Sequence, residues 1–190
     1  MMSDDRNRWE ERYAAGSTSS DGPSDFLVAH AALLHGRVLD VAGGSGRNAL
    51  FLARRGLRVD VLDIALAGLR LAQRAARAER LDVRLVQADL ESFPLPRALY
   101  DAAINIRYLQ RSLFEPLQAA VKVGGILLFE TFLIDQQTLG HCRNPAYLLQ
   151  RGELRAAFSR CDILVYEEGL FQSASQSAYL ARLVARRSQR

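Results

Sequence analysis

The sequence predicts one α/β domain built on a mostly parallel β-sheet, and three observations support this fold class. The chain has 190 residues, which suits a single compact domain with a full hydrophobic core. From Gly36 onward, short runs rich in β-branched residues alternate with longer stretches of helical periodicity. A glycine-rich turn follows the first of these runs. Such an alternation is typical of a doubly wound parallel sheet with helices on both faces.

Seven strands are expected in this sheet, with helices between them. The candidate strands are Arg37 to Val41, Leu57 to Leu62, Val83 to Ala88, Tyr100 to Ile106, Gly125 to Phe132, Ile163 to Glu167 and Ala178 to Val184. The helices between them are expected near Arg47 to Arg55, Ala65 to Arg80, Ser112 to Ala120 and Gly152 to Phe158. The last two strands are joined by roughly ten residues without helical pattern, so we expect an antiparallel hairpin at one edge.

The N-terminal part of the domain is expected to be a helix followed by a hinge. Asp4 to Ala15 has helical spacing, with Trp9 and Tyr13 on one face. A loop from Gly16 to Pro23 follows, because its small polar residues bury nothing and break periodicity. Ser24 can cap a further helix from Asp25 to Leu34. We therefore expect residues 1–22 to form a helix and hinge, residues 23–190 to form the core, and the whole chain to be one domain.

Composition excludes several other classes of protein. Hydrophobic residues make up 49% and charged residues 24% of the chain, as in ordinary globular proteins. No apolar stretch is long enough to span a bilayer and the first residues are charged, so a cytoplasmic protein with no membrane anchor is expected. Cys142 and Cys161 form no C-x-x-C pair and have no histidines at metal-site spacing, so no metal site is expected.

The net charge of +4 permits a polyanionic partner without requiring one. Basic residues gather only at the end of the chain. A solvated chain end is the favoured interpretation of this group, ahead of an RNA contact. The group consists of Arg182, Arg186, Arg187 and Arg190.

The most informative stretch is the turn after the first strand, Ala42-Gly43-Gly44-Ser45-Gly46. Glycine has no Cβ and tolerates positive φ, so the turn can be tight and a ligand can approach its backbone. The amides that open the following helix favour a polar or anionic group. This arrangement is that of a Rossmann-like domain. Taken alone it also suits a plain tight turn or a dinucleotide site.

Three aspartates lie at the ends of three successive strands. Asp40 lies at the end of the first strand, Asp63 follows 63 − 40 = 23 residues later, and Asp89 follows 89 − 63 = 26 residues after that. The carboxyl ends of neighbouring parallel strands meet at the crevice where ligands bind. An acid after the second strand is placed to accept hydrogen bonds from ribose hydroxyls. The sequence therefore predicts a ligand site at this edge, and the interpretation requires the turn to be open to a ligand.

These residues resemble the class I S-adenosylmethionine-dependent methyltransferases, over nearly the whole chain. The resemblance implies that Asp40 lies near the methionine end of the cofactor, Asp63 binds the ribose, and Asp89 with Leu90 holds the adenine. Ala42 stands where the family usually has a glycine, which alanine tolerates if its φ stays negative. The cofactor-binding residues implied are Arg12, Tyr13, Asp40, Ala42, Gly43, Gly44, Gly46, Asn48, Asp63, Ile64, Asp89, Leu90 and Asn105.

Further motifs are similar to those of small bacterial methyltransferases of the tellurite-resistance type. These motifs are Trp9-Glu10-Glu11-Arg12-Tyr13, Gly46-Arg47-Asn48-Ala49, Tyr108-Leu109-Gln110-Arg111-Ser112-Leu113-Phe114, Gly124 to Phe132, Asn144-Pro145-x-x-Leu148-Leu149 and Gly152-Glu153-Leu154. The resemblance implies methyl transfer from S-adenosylmethionine to a small molecule. The N-terminal helix on its Ser/Gly hinge could fold over the cofactor as a lid, with Trp9 and Tyr13 excluding solvent. Packing of Trp9 on the flank of the sheet is the equal alternative.

The acceptor is expected beyond the fourth strand, where Arg107 and Arg111 could hold an anionic group. Tyr108 and His141 complete the substrate-binding candidates. Asn105 is as well explained by a core or hinge role, Arg111 by a solvated helix face, and His141 by an ordinary loop position. No catalytic base is identified, because a sulfonium methyl is already activated and a soft nucleophile needs no deprotonation.

Three alternatives to small-molecule methyl transfer remain open on the sequence. The basic balance supports an RNA methyltransferase. The glycine pattern also suits a nicotinamide-dependent oxidoreductase. The third is a relative that binds the cofactor without catalysis.

Overall fold

The structure is a computed structural model that describes residues 2–16, 22–140, 144–172 and 177–189, with side chains from residue 6 onward. Within these ranges, no helix has both the length and the apolar character needed to cross a bilayer. The chain divides into two compact units, Met1–Pro94 and Leu95–Arg190. The expectation that the whole chain is one domain stays a prediction.

The predicted fold class is confirmed. Seven strands form a mixed, mostly parallel sheet in the order β3-β2-β1-β4-β5-β7-β6, with the antiparallel pair at one edge. The first unit contributes β1 (Arg37–Val41), β2 (Arg58–Asp63) and β3 (Val83–Gln87). The second contributes β4 (Tyr100–Ile106), β5 (Val121–Phe132), β6 (Asp162–Gln172) and β7 (Ser177–Arg186).

Four helices surround the strands of the first unit. They are α1 (Met2–Ala14), α2 (Asp25–His30), α3 (Arg47–Arg54) and α4 (Leu66–Glu79). The hydroxyl of Ser24 accepts a hydrogen bond from the Leu27 amide and caps α2, as expected. This helix ends at His30 instead of Leu34, and a 3₁₀ turn covers Ala31–Leu33.

The spacing of Leu66, Leu69, Ala72 and Ala76 in the sequence predicts one apolar face for α4, with three arginines on another face. The structure confirms this pattern, although Leu66 is only half-buried. Leu69, Ala72 and Ala76 are buried, whereas its arginines point to solvent. The exposed arginines are Arg70, Arg74 and Arg77. A helix with one apolar face packs that face on a sheet and leaves the other in water. The helical spacing in the sequence therefore predicted correctly which side of α4 is buried.

Parallel pairing in the first unit brings its strand ends to one edge. Val41 of β1 is opposite Leu62 of β2, and Asp63 is opposite Gln87 at the end of β3. All three strands run in the same direction, so the residues that follow them emerge on the same side. This register places the turn after β1 beside the acidic end of β2.

Among its described residues, the second unit has two short α-helices, α5 (Phe114–Ala120) and α6 (Glu153–Ala157). The predicted helix from Ser112 to Ala120 is a 3₁₀ turn at Arg111–Leu113 continued by α5. β7 runs antiparallel to both β5 and β6, which confirms the edge hairpin. β6 extends to Gln172 and β7 begins at Ser177, so the connection is shorter than the ten residues expected.

Two further predictions in this unit are wrong. β5 begins at Val121, four residues before the predicted Gly125, because Val121 pairs with Tyr100 ahead of a register shift. The interpretation of the C-terminal arginines as a solvated group is wrong for Arg182 and Arg187. Arg182 pairs with buried Glu130, and the Arg187 guanidinium donates to backbone carbonyls of Ala119 and Val121. Arg186, the last residue of β7, is exposed, and Arg190 lies outside the described residues.

An aromatic cluster lies in the core of the second unit. Phe114, Phe129 and Phe158 contact one another with ring centroids 5.7 to 5.8 Å apart. Phe114 meets the other two rings edge-on, an arrangement that contributes beyond area burial. Phe158 is fully buried, at 0% exposed. This ring therefore joins the end of α6 to α5 and β5.

We expect Phe158→Ala to lower the free energy of unfolding by about 3–5 kcal/mol, because it removes a buried ring and leaves a cavity. Phe93→Ala is the matched control, since Phe93 is 37% exposed, and it should cost about 1 kcal/mol or less. Urea unfolding of both variants, followed by circular dichroism, measures the difference. Equal losses in the two variants would contradict the central place of Phe158.

Candidate functional site

The turn from Ala42 to Gly46 joins β1 to α3 and has an unusual backbone. Ala42, Gly44 and Gly46 have φ values of 53°, 56° and 81°, in the left-handed region. The Gly46 amide closes the turn by donating to the Gly43 carbonyl over 2.9 Å. The condition under which alanine is tolerated at position 42, a negative φ, is therefore not met. An alanine in this region costs roughly 1–2 kcal/mol, so the surrounding structure holds the turn under strain.

Asp63 holds this turn from the end of β2. Its carboxylate accepts the Gly44 amide at 2.7 Å and the Ala65 amide at 2.8 Å, one on each oxygen. The side chain is 7% exposed. Burial raises the pKa of Asp63, while these two backbone hydrogen bonds oppose the rise. One carboxylate thus joins the glycine turn to the segment that enters α4.

Asp40 is the most buried acid of the site, at 1% exposed. Burial raises its pKa to about 8, and the nearby charge of Asp63 adds to the rise. Arg47 and the Ala49 amide partly offset it. Oδ2 of Asp40 has no hydrogen-bond partner in the described part of the chain. A Cβ added at Gly43 would come within 2.8 Å of that oxygen, so the space beside it depends on glycine.

Tyr13 of α1 lies over the glycine turn. A Cβ at Gly44 would meet the Tyr13 hydroxyl oxygen at 2.0 Å, and one at Gly68 would meet the tyrosine ring at 2.9 Å. The Ser45 backbone hydrogen bonds with the hydroxyl, and burial raises the pKa of Tyr13 to about 12. The required opening over Gly44 is therefore occupied by a side chain of this chain, and any ligand that passes there must displace Tyr13.

Glu10 anchors α1 on α4. Its two carboxylate oxygens accept the amides of Leu66 and Ala67 at 2.6 and 2.8 Å. Trp9 stacks on Tyr13 with ring centroids 5.9 Å apart. The Arg12 guanidinium lies 5.0 Å from the Trp9 ring centre, on the exposed side of the helix. The sequence motif contained Glu10, but no local pattern indicated that it contacts a helix more than 50 residues away.

Two other predicted cofactor residues of the first unit make hydrogen bonds within the protein. Asn48 is buried and its Oδ1 accepts the Ser24 amide at 3.0 Å. The Ile64 carbonyl accepts the Gln87 side-chain amide at 3.1 Å. Both hydrogen bonds shape the rim of the turn. Contact of Asn48 or Ile64 with a ligand stays a prediction.

The segment after β3 turns sharply at Asp89. One oxygen of the Asp89 carboxylate accepts the Glu91 amide at 2.9 Å. The Asp89 carbonyl accepts the amides of Ser92 and Phe93. Leu90 is buried. The roles of Asp89 and Leu90 in holding an adenine stay predictions.

The predicted acceptor residues lie in the second unit, as does Asn105, which the sequence predicts to bind the cofactor. The Asn105 side-chain amide donates to the Tyr108 carbonyl at 2.7 Å and so holds the bend after β4. The Tyr108 hydroxyl donates to the Gln110 side chain. The Arg111 guanidinium donates hydrogen bonds to both Glu153 carboxylate oxygens and to the backbone carbonyls of Ala146 and Leu148. His141 lies outside the described residues.

Sequence reasoning missed a buried charge cluster in this unit. Glu130 is almost fully buried and pairs with Arg107 at 3.2 Å and with Arg182 at 2.8 Å. Arg107 lies over the Phe132 ring and Arg182 over the Phe171 ring. Glu130 of β5 lies directly opposite Arg182 of β7 in the antiparallel pairing, so the strand register brings the two side chains together. In the described ranges, no cluster of His, Cys, Asp and Glu is arranged to hold a metal ion.

Comparison with known proteins identifies the domain type. Residues 38–125 match the family model described as a methyltransferase domain. The chain is 40% identical over 68 residues to demethylmenaquinone methyltransferase of Thermus thermophilus, covering 35% of this chain and 31% of the relative. It is 34% identical over 102 residues to the enzyme of the same name from Thermobifida fusca, covering 50% of this chain and 43% of the relative. The chain thus spans less than half of the length of these curated relatives.

A solved structure supports the fold over most of the chain. The TehB protein of Haemophilus influenzae superposes with a TM-score of 0.76 at 19% identity, covering 95% of this chain and 67% of that one. At this identity the likeness shows a shared fold. The predicted recognition of a class I methyltransferase fold is confirmed by the two kinds of comparison together.

We expect Gly44→Ala to destabilise the protein more than Gly56→Ala. Both glycines have positive φ, so both variants acquire backbone strain of about 1 kcal/mol. Only at Gly44 does the new methyl meet the Tyr13 hydroxyl, because no atom lies within 4 Å at Gly56. Thermal unfolding of the two variants measures this difference. Repeating Gly44→Ala in a Tyr13→Ala background should remove the excess loss, and an unchanged excess would contradict the contact.

We expect Asp40→Asn to change the pH dependence of stability. The folded-state pKa of Asp40, about 8, lies above its ordinary value of 3.8, so between these values the unfolded chain ionises while the folded chain stays protonated. The native protein therefore loses stability relative to Asp40→Asn as pH rises from about 4 to about 8, and the difference levels above that range. Chemical unfolding across this pH range measures it. A pH-independent difference would contradict the burial of an uncompensated acid.

Proposed function

The chain carries a methyltransferase domain over residues 38–125, and from this premise we propose that it is an S-adenosylmethionine-dependent methyltransferase that acts on a small molecule. We also propose that the protein is located in the cytoplasm. When bound, the cofactor supplies a methyl group already activated on a sulfonium sulfur. The task of the protein is to bind both partners, orient them and exclude water.

The orphaned Oδ2 of Asp40 is the observation that carries the proposal. A buried carboxylate oxygen without a partner is costly and is rare in folded proteins. The amino group at the methionine end of S-adenosylmethionine is a cationic donor that matches it. The glycine at position 43 keeps the space beside this oxygen free of a side chain. A plain structural turn gives no reason for either feature.

The neighbouring residues also fit this cofactor. The Asp63 carboxylate accepts backbone amides of Gly44, Ala65 and Ile64, which leaves acceptor capacity on its two oxygens for a ribose hydroxyl. Asp89 and buried Leu90 follow β3 and suit an adenine amino group and ring face, respectively. The first amides of α3 favour the methionine carboxylate. The residues that hold the strained turn would therefore also hold the cofactor.

The proposed acceptor is small and its binding residues belong to the second unit. Arg107 and Tyr108 remain candidates because they follow β4, where acceptors bind on sheets of this type, and Asn105 near the end of β4 remains a candidate for the cofactor. Arg111 is a weaker candidate, since Glu153 and two carbonyls already engage its guanidinium. The relatives named as demethylmenaquinone methyltransferases are matched over less than half of their length, so the proposal stays with the small-molecule class.

RNA methyl transfer receives less support than small-molecule methyl transfer. Its support is the basic balance of the chain. Of the basic residues near the end of the chain, Arg182 is paired with Glu130 and Arg187 donates to two backbone carbonyls. Phosphate binding needs guanidinium groups that are free to leave their protein partners. The structure therefore favours a structural role for these two arginines.

We expect Asp40→Asn to weaken binding of S-adenosylhomocysteine about tenfold or more, because the amide removes a charge-assisted partner of about 1.5–3 kcal/mol. Isothermal titration calorimetry at pH 8 measures the affinity. Asp82→Asn is the matched control, since Asp82 is an exposed aspartate in the same unit. Binding that is undiminished in Asp40→Asn would contradict the cofactor assignment, whereas equal losses in both variants would show that the effect is nonspecific.

Methyl transfer itself is tested by incubating the protein with S-adenosylmethionine labelled in the methyl group and with a cell extract. The proposal expects label in the small-molecule fraction, and less of it with Asp40→Asn when the cofactor concentration is below its dissociation constant for the wild type. Label confined to RNA would support the alternative. Absence of transfer to any fraction would contradict the enzymatic proposal.

A further inference from the structure

The start of α4 is capped by a residue from another helix. Ala65 precedes α4 and has no side chain that can accept its free amides. Glu10 supplies this cap, because its two oxygens accept the amides of Leu66 and Ala67. These hydrogen bonds join a charged acceptor to the positive end of a helix, an arrangement stronger than a neutral pair. The cap therefore fastens α1 to α4 at a defined position.

Tyr13 follows Glu10 by three residues, so both side chains project from the same face of α1. While Glu10 caps α4, the Tyr13 ring lies against Gly68 and its hydroxyl lies against Gly44. Trp9 stacks on the tyrosine ring from the same helix. The position of Tyr13 over the glycine turn therefore depends on the seating of α1, and Glu10 makes the polar contacts that seat it.

We propose that Glu10 is a positioning residue: its cap on α4 holds Tyr13 over Gly44, and a ligand enters or leaves the glycine turn only when this cap opens. The inference rests on the proposed function for the identity of the ligand. Tyr13 occupies the side-chain-free space over Gly44, so the ligand and the phenol compete for it. Loss of the Glu10 cap then accelerates exchange in both directions, because entry and exit share the same opening step.

The seating of α1 is tested without any ligand. Trp9 is the only tryptophan of the chain, so intrinsic fluorescence reports on α1 alone. Glu10→Gln keeps one acceptor oxygen but loses the charge, and it should shift the emission to longer wavelength and increase quenching by acrylamide. Glu11→Gln is the matched control, because Glu11 is exposed on the same helix. Identical fluorescence and quenching in all three proteins would overturn the proposal.

Ligand exchange is tested with S-adenosylhomocysteine by stopped-flow mixing and displacement. Glu10→Gln should raise both the association and the dissociation rate about tenfold, the effect expected for losing roughly 1.4 kcal/mol of charge-assisted capping, with a smaller change in the equilibrium constant. Tyr13→Ala should accelerate exchange even though Glu10 is intact. Glu11→Gln should behave as the wild type. A purely structural role for Glu10 would lower the affinity through dissociation alone, and that result would contradict the proposal.

Two outcomes separate this inference from the proposed function. Failure of the wild-type protein to bind S-adenosylhomocysteine would overturn the proposed function, and the Trp9 measurement would still judge the seating of α1. Binding by the wild type with unchanged exchange rates in Glu10→Gln would overturn only the role of Glu10. Circular dichroism of Glu10→Gln tests whether the rest of the protein stays folded. Glu10→Asp keeps the charge on a shorter side chain and should give exchange rates between those of the wild type and Glu10→Gln.

Discussion

The hydrogen bonds of the Asp63 carboxylate are the constraint on which the site depends. By accepting the amides of Gly44 and Ala65, this side chain joins the turn after β1 to the entry of α4. The turn itself is strained, since Ala42 adopts a left-handed backbone that alanine disfavours. The buried carboxylate offsets that strain. The same contacts set the height of Gly44 beneath Tyr13 and the position of the α4 amides that Glu10 caps.

The same site concentrates negative charge in a buried place. Asp40 and Asp63 repel each other, and Glu10 adds to the charge felt by Asp63. Burial raises the pKa of both aspartates, so the protein without ligand holds them at a cost in stability. Groups under such strain are characteristic of functional sites. A cationic ligand group beside Asp40 would relieve this cost, which links the stability of the protein to the proposed cofactor.

The second unit resolves its charges differently. Glu130 is enclosed by Arg107 and Arg182, and each guanidinium also lies over an aromatic ring. A buried carboxylate with two such partners holds the C-terminal part of β5, the middle of β7 and the residue after β4 in one arrangement. Arg111 acts in a similar way on the loop that carries Ala146 and Leu148. Arg107, Arg111 and Arg182 therefore have structural roles, because they bind carboxylates and backbone carbonyls of the protein. Binding of a methyl acceptor by Arg107 or Arg111 would be a further role.

The sequence by itself determined the fold class, the bounds of β1 and β4, the buried face of α4 and the three aspartates at the ends of successive strands. These are local features, because strand and helix periods and glycine turns are written in neighbouring residues. Tertiary structure decided the early start of β5, the length of β6 and the partners of Arg182 and Arg187, since pairing joins residues far apart in the chain. It also decided the positive φ of Ala42, the cap from Glu10 and the place of Tyr13. Each of these three depends on groups that meet only after α1, β1 and α4 have packed together.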